Sequence, residues 1–236
     1  MDQPILKEKI MHSAGFITVG QSPRSDIIPE LLPFLPHDCR ILERGALDDL
    51  SSAQIREFAP TVGQPLLISR MRDGSSVTLS RELTLNRLQG CADWLLEHGA
   101  DCLVLLCTGD LPKLKAEVPF LAAEPLLYRL MQGMTAINQL PFGVMVPLES
   151  QLPQVRQQWQ EIGLNPFFAA ANPYDKKSDF AGAARQLQSA GARLILLDCL
   201  GYGLAEKRLV QQATHLPVIL PRTVIGRTLG ELLEER

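Results

Sequence analysis

The stretch RLILLDCLGYG, Arg193 to Gly203, is an apolar run that ends in a cysteine and a glycine-bearing turn. It is written twice in the chain. LEHGADCLVLLCTGD (Leu96 to Asp110) and QSAGARLILLDCLGY (Gln188 to Tyr202) align without a gap when Gly99-Ala100 is laid on Gly191-Ala192. Cys107 then falls on Cys199, and Gly109 on Gly201. Each copy has a helical stretch closing on Gly-Ala, a fully apolar strand, and a thiol where the strand runs out. Strands buried on both faces belong to parallel sheets, and such sheets bind ligands outside the carboxyl ends of their strands. The repeat therefore puts two thiols at two candidate ligand-binding edges.

Working outward, strands alternate with helices along the whole chain, which indicates α/β architecture with parallel sheets. The expected strands are Gly15–Val19, Cys39–Leu47, the run ending at Cys107, Phe142–Pro147, the segment NPFFAAA, the run ending at Cys199, and PVILP. Asp73-Gly74 between PLLISRM and SVTLS predicts a β-hairpin inserted in the first half. Helices are expected from Pro23 through Leu32, over residues 80–98, 125–137, 149–163, 176–190 and 204–214, and at the C-terminus. This organisation predicts two pseudo-symmetric lobes, residues 1–120 and 121–236, with the helix over about 221–236 able to cross back to the first. The site is expected between them.

Composition narrows the function. Net charge is −3 and no basic block is present, which argues against nucleic-acid binding. No apolar run reaches the roughly 18 residues that span a bilayer. MDQPILKEKIMHSAG is too charged for a signal peptide, so a cytoplasmic location is expected. Five cysteines, an odd number without Cys-x-x-Cys, read as reduced thiols rather than a disulfide framework. The four histidines stand in unrelated contexts, so neither zinc nor another metal is expected. Homo-oligomerisation stays open.

Cys39, Cys91 and Cys102 read as small core hydrophobes. Cys107 and Cys199 stand out because a strand terminus facing a helix start draws a thiol toward the thiolate. Two facing thiols fit proton transfer on both sides of a carbon acid. One thiolate removes the α-proton of a bound carboxylate and the opposite thiol returns one, with no cofactor. The carboxylate, or another small anionic metabolite, needs donors on the loops after the strands. Gln21, Ser22, Arg24, Thr108, Gly109, Asn172 and Gly201 are the candidates. Gly20 to Asp26 in particular has the strand, loop and helix start that offer N–H groups to an anion. Asp198, one residue ahead of Cys199, either opposes its ionisation or hydrogen-bonds across the lobes. The hairpin around Arg70, Arg72 and Asp73 is either an exposed turn or a lid over the cleft.

TVGQSPRSDIIPE, the Cys107-Thr108 pair, GVMVPLE, Ala171-Asn172-Pro173, LDCLGYG and LPVILPRTVIGRTLGELL together resemble the AroM family, within the aspartate/glutamate/hydantoin racemase superfamily. The resemblance covers nearly the whole chain. It implies a two-lobed α/β fold with both cysteines in the cleft and does not itself supply a reaction; a racemase or isomerase without cofactor is what the paired thiols suggest. Decarboxylation and cis–trans isomerisation are other chemistries of the superfamily. The chain departs from the racemase pattern: Asn is missing after Cys107, Leu200 stands where the second Thr is expected, and no histidine adjoins Cys199. Those departures favour the alternative of a non-catalytic metabolite-binding protein. The family's association with aromatic amino-acid and shikimate genes implies a pathway metabolite as its ligand.

Overall fold

The structure is a computed structural model that describes residues 12–108, 114–135 and 137–234. Two four-stranded sheets organise it. The first contains β1 (Ser13–Thr18), β2 (Arg40–Gly45), β5 (Cys102–Leu105) and β6 (Phe120–Ala122), in the order β2-β1-β5-β6. The second contains β7 (Gly143–Val146), β8 (Phe167–Ala170), β9 (Ile195–Leu197) and β10 (Val218–Ile219), in the order β8-β7-β9-β10. Every pairing in both is parallel. Within each sheet the chain starts in an inner strand, goes to one edge, and returns on the other side. That reversal is the switch point at which open α/β sheets leave a crevice.

The sequence echo is reproduced bond for bond. Helix α4 (Leu88–Glu97) and helix α7 (Phe180–Ser189) precede the equivalent strands β5 and β9. After them Gly99 and Gly191 both adopt positive φ, +83° and +111°, where a side chain is strained. The following amides close the helix ends alike, Ala100 N–H to Leu95 O at 3.0 Å and Ala192 N–H to Leu187 O at 3.1 Å. Leu106 N–H bonds Ile17 O on β1, and its counterpart Asp198 bonds Met145 O on β7, both at 2.8 Å. Gly15 and Gly143 occupy the inner strands where the helix presses closest. A Cβ on Gly15 would lie 3.3 Å from Leu95 of α4 and 2.8 Å from Leu103 of β5, and one on Gly143 3.0 Å from Leu187 of α7.

The sheets share helices. Helix α5 (Ala123–Thr135) leaves β6 and buries Leu127 and Met131 against Val144, Leu194 and Leu196 of the second sheet. Helix α9 (Pro221–Leu233) leaves β10 and buries Ile225, Leu229 and Leu233 with Phe16 and Val104 of the first sheet and with Ile27 from the loop after β1. Gly226 and Gly230 let α9 lie against Phe34, with Arg227 over that ring at 5.2 Å. Each of these side chains removes apolar surface worth about 1.5 to 3 kcal/mol from water, so the two halves hold one another through reciprocal cores.

The hairpin is β3 (Leu66–Arg70) with β4 (Ser76–Ser80), paired antiparallel around Asp73-Gly74 as expected. Helix α2 (Ser52–Arg56) is capped by Ser51, whose hydroxyl accepts from Gln54 N–H. Helix α6 (Leu152–Glu161) follows a 3-10 turn over Glu149–Gln151, and α8 (Leu204–Thr214) matches its expected span.

Three expectations need correction. The helix expected from Pro23 begins only at Ile28 and is one turn long, α1 (Ile28–Leu31), continued by a 3-10 turn. The amides that would have opened it are taken by carboxylates: Ser22 N–H by Asp48 at 2.7 Å and Arg24 N–H by Glu43 at 2.6 Å. The helix expected over 80–98 is broken at Asn86-Arg87 into α3 (Arg81–Leu85) and α4, where Arg87 Nε turns to the Ala46 carbonyl at 2.6 Å. Strand β6 has no counterpart among the expected strands. Its three residues follow Pro119 and adopt strand geometry only by pairing with β5, a long-range choice that local pattern does not carry.

Candidate functional site

The carboxyl ends of β5, β7 and β9 open onto one narrow cleft of about 50 Å³ that is partly open to solvent. Cys107, Thr108, Val146, Pro147, Asp198 and Cys199 line it from the strand ends. Leu66, Leu67 and Ile68 of β3 close one side, and Gln151 at the start of α6 with Gln154, Val155 and Gln158 within it another. The hairpin therefore contributes a wall through its strand, while its tip is held away from the cleft. There, Arg72 Nε donates to Ser22 O at 2.7 Å and Arg72 N–H to Gln21 Oε1 at 3.1 Å.

Of the sequence-nominated residues, the cleft gathers Cys107, Thr108 and Cys199. Gly109 lies outside the described residues. The others surround the cleft rather than line it. Ser22 gives its hydroxyl to Asp48 Oδ2 at 2.6 Å in addition to its N–H. Arg24 is buried, and its guanidinium forms two bonds of 2.9 Å to Asp26 and one of 3.0 Å to Thr18. Asn172 opens a turn, its Oδ1 accepting from Tyr174 N–H at 2.9 Å. Gly201 donates its N–H to Cys199 Sγ at 3.2 Å. A Cβ there would fall 2.6 Å from the Tyr174 hydroxyl, which is why glycine stands at this position.

The anion cradle expected at Gly20 to Asp26 is thus occupied by the protein's own carboxylates. Asp48 takes Ser22 twice and also Gly45 N–H at 2.7 Å. Glu43 takes Arg24 N–H, and burial pushes the Glu43 carboxyl above its usual range. The start of α8 is likewise filled: Gly203 N–H goes to Glu206 at 2.7 Å and Leu204 N–H to Glu30 at 3.2 Å.

Those donors are consequently not aimed at Cys199, and its expected drift toward thiolate is reversed. Burial pushes the Cys199 thiol up to about 11, with Asp198 adding to the rise. The Gly201 N–H, Arg24 and Arg222 pull the other way without overcoming it. Part of the Cys199 surface still opens on the cleft. Cys91 and Cys102, pushed up to about 11 and 12 by burial, sit in the core as their helix and strand positions implied.

Asp198 is the buried carboxyl of the site. Desolvation raises it to about 7, offset in part by the Thr108 hydroxyl and the Trp159 indole. Trp159 Nε1 faces it without reaching hydrogen-bond geometry and has no other partner. The Thr108 hydroxyl also donates to the Asp198 carbonyl at 3.2 Å, so Asp198 does bond across the boundary between the two sheets.

Residues missed in the sequence are the glutamines of α6 and Arg222. The run QLPQVRQQ, one residue after GVMVPLE, carried the first signal, because polar residues three and four apart share one helix face. Arg222 carried none beyond its place after a strand. No group of three or more His, Cys, Asp or Glu that could hold a metal occurs among the described residues, and no helix there is long and apolar enough to cross a membrane.

A family model described as AroM protein matches residues 14–233. The chain belongs to the AroM family. Its fold is shared with solved racemases and isomerases. It superposes on allantoin racemase from Klebsiella pneumoniae with a TM-score of 0.60 at 16% identity, covering 94% of this chain and 87% of that one. Aspartate racemase from Picrophilus torridus gives 0.57 at 10% identity, with 95% of both chains covered. Maleate isomerase from Pseudomonas putida S16 gives 0.57 at 14% identity, covering 94% of this chain and 93% of that one. At such identities the likeness shows the fold alone. No curated protein matches the sequence.

Proposed function

We propose that this AroM protein is a cofactor-independent racemase or isomerase acting on a small carboxylate, with Cys107 and Cys199 as its acid and base. The observation that carries this reading is that the two thiols equated by the internal repeat line one cleft at equivalent strand ends. A substrate carbon between them would have a sulfur on either side.

The assignment of roles follows from charge. Burial and the neighbouring Asp198 hold the Cys199 thiol in its protonated form at neutral pH. It enters the reaction as the acid, and Cys107 as the base. The Cys107 thiolate takes the α-proton, the electron pair left on carbon delocalises into the substrate carboxylate, and Cys199 delivers its proton to the opposite face. Cys107 ends as thiol and Cys199 as thiolate, so the reverse direction starts from the mirror state. The amides of Gln154 and Gln158 are the polar groups proposed to hold the substrate carboxylate, joined by the Thr108 hydroxyl when it turns from the Asp198 carbonyl to the substrate. They can donate hydrogen bonds without adding charge.

The test is α-proton exchange in deuterated water with a broad panel of small chiral carboxylates. Wild-type protein is expected to incorporate deuterium into at least one, and Cys107→Ala and Cys199→Ala to lose that exchange. Absence of exchange across the panel overturns the proposal.

A further inference from the structure

The turn that follows Cys199 is held by a guanidinium from the far end of the chain. Arg222, at the start of α9, is buried to 3% exposure. Its Nε donates to the Leu200 carbonyl at 2.8 Å, its Nη2 to the Gly201 carbonyl at 2.9 Å and its Nη1 to the Asp26 carbonyl at 2.6 Å. Glu30 at 3.2 Å and Asp26 at 3.7 Å balance its charge.

The Leu200 carbonyl and the Gly201 N–H belong to one peptide plane and point in opposite directions. A guanidinium holding the carbonyl end therefore fixes where the N–H end aims, and that N–H lies 3.2 Å from Cys199 Sγ. Arg222 thus reaches the sulfur through a single rigid unit, and brings a buried positive charge with it.

We propose that Arg222 is a positioning residue for Cys199: by gripping the Leu200-Gly201 peptide it keeps the N–H on the sulfur and stabilises the thiolate left once Cys199 has given up its proton. This rests on the reading of Cys199 as an acid that must also survive as a base. The other charged or titratable groups around Cys199 are Asp198 beside it, Arg24 from the loop after β1, Tyr174 from the loop after β8, Tyr202 from its own turn, and Cys107 across the cleft. Arg24 is engaged with Asp26 and Thr18. Among the described residues, Arg222 is the one side chain that bonds the peptide touching the sulfur.

The experiment follows the rate of alkylation of Cys199 by iodoacetamide in the full chain from about pH 7 to pH 9.5, below its midpoint, where the rate tracks the thiolate fraction, with the Cys199 peptide quantified by mass spectrometry and Cys39 as internal control. Arg222→Gln is expected to slow Cys199 alkylation about tenfold at each pH while Cys39 is unchanged. Arg222→Lys, which keeps the charge, is expected to fall between the two. An unchanged or faster rate in Arg222→Gln would show that Arg222 only staples the two sheets together and overturns the proposal. Should Arg222→Gln not fold, Glu30→Gln removes a carboxylate that offsets Arg222, and Cys199 alkylation is expected to quicken; an unchanged or slower rate overturns the proposal equally. No substrate is needed, so this outcome is separate from that of the exchange test.

Discussion

The Thr108 hydroxyl bonds the carbonyl of Asp198 at 3.2 Å, so the residue after the first thiol touches the residue before the second. This contact sets the two repeated strand ends side by side. It also brings a hydroxyl to a buried carboxyl that no cation lining the cleft neutralises, among the described residues. Removing it as Thr108→Val is expected to cost about 1 kcal/mol of stability. Urea denaturation at pH 5 and pH 8 measures the loss.

Asp198 makes stability fall as pH rises. Its carboxyl titrates near 7 in the folded protein, above the roughly 3.9 of an unfolded chain. Below about pH 4 both states are protonated and the contribution is fully present; it is lost progressively as pH rises to about 7. Asp198→Asn is expected to flatten that slope and to raise stability at pH 8 by a few kcal/mol relative to wild type, because each tenfold weakening of proton binding on unfolding corresponds to about 1.4 kcal/mol. Equal slopes in the two proteins would show that Asp198 ionises normally.

Asp26 has the opposite sign. Burial alone would raise it, but its bonds to Arg24 and the nearby Arg222 hold its carboxyl below the ordinary range. Its stabilisation is present above the unfolded pKa and is lost as pH falls through the lower folded value. Asp26→Asn leaves two buried guanidiniums under-compensated and is expected to cost roughly 3 kcal/mol at pH 7. The penalty should shrink below about pH 4, as thermal melts at both pH values will show.

Gly201→Ala tests the tight turn. The added methyl meets the Tyr174 hydroxyl at 2.6 Å and Pro173 at 2.9 Å, so the loop after β8 must shift. A loss of about 1 to 3 kcal/mol is expected from overpacking, together with altered alkylation of Cys199, whose Sγ the Gly201 amide contacts.

Arg72→Ala addresses the wall formed by the hairpin. Its side chain is half exposed, so global stability should change by less than about 1 kcal/mol. Amide exchange within Leu66–Arg70 and Ser76–Ser80 should quicken, because Arg72 ties the tip to Ser22 and Asp48.

By itself the sequence determined the class of fold and the equivalence of Cys107 and Cys199. Both are properties of short-range pattern: a helix ending on Gly-Ala, an apolar strand, and a thiol, repeated at fixed spacing. The hairpin was legible for the same reason, since Asp73-Gly74 specifies its turn locally. What only the tertiary structure decided was where charges and donors find their partners. The loop at Ser22 and Arg24 has the chemistry of an anion site, yet Asp48 and Glu43 reach it from elsewhere in the chain, and Asp26 from within the loop, and take its donors. Whether Cys199 ionises depends on burial, on Asp198, and on an arginine at position 222 that touches its turn. Periodicity reports which face of an element is apolar. Desolvation and long-range pairing depend on which faces meet, and that is set when the two sheets and their exchanged helices come together.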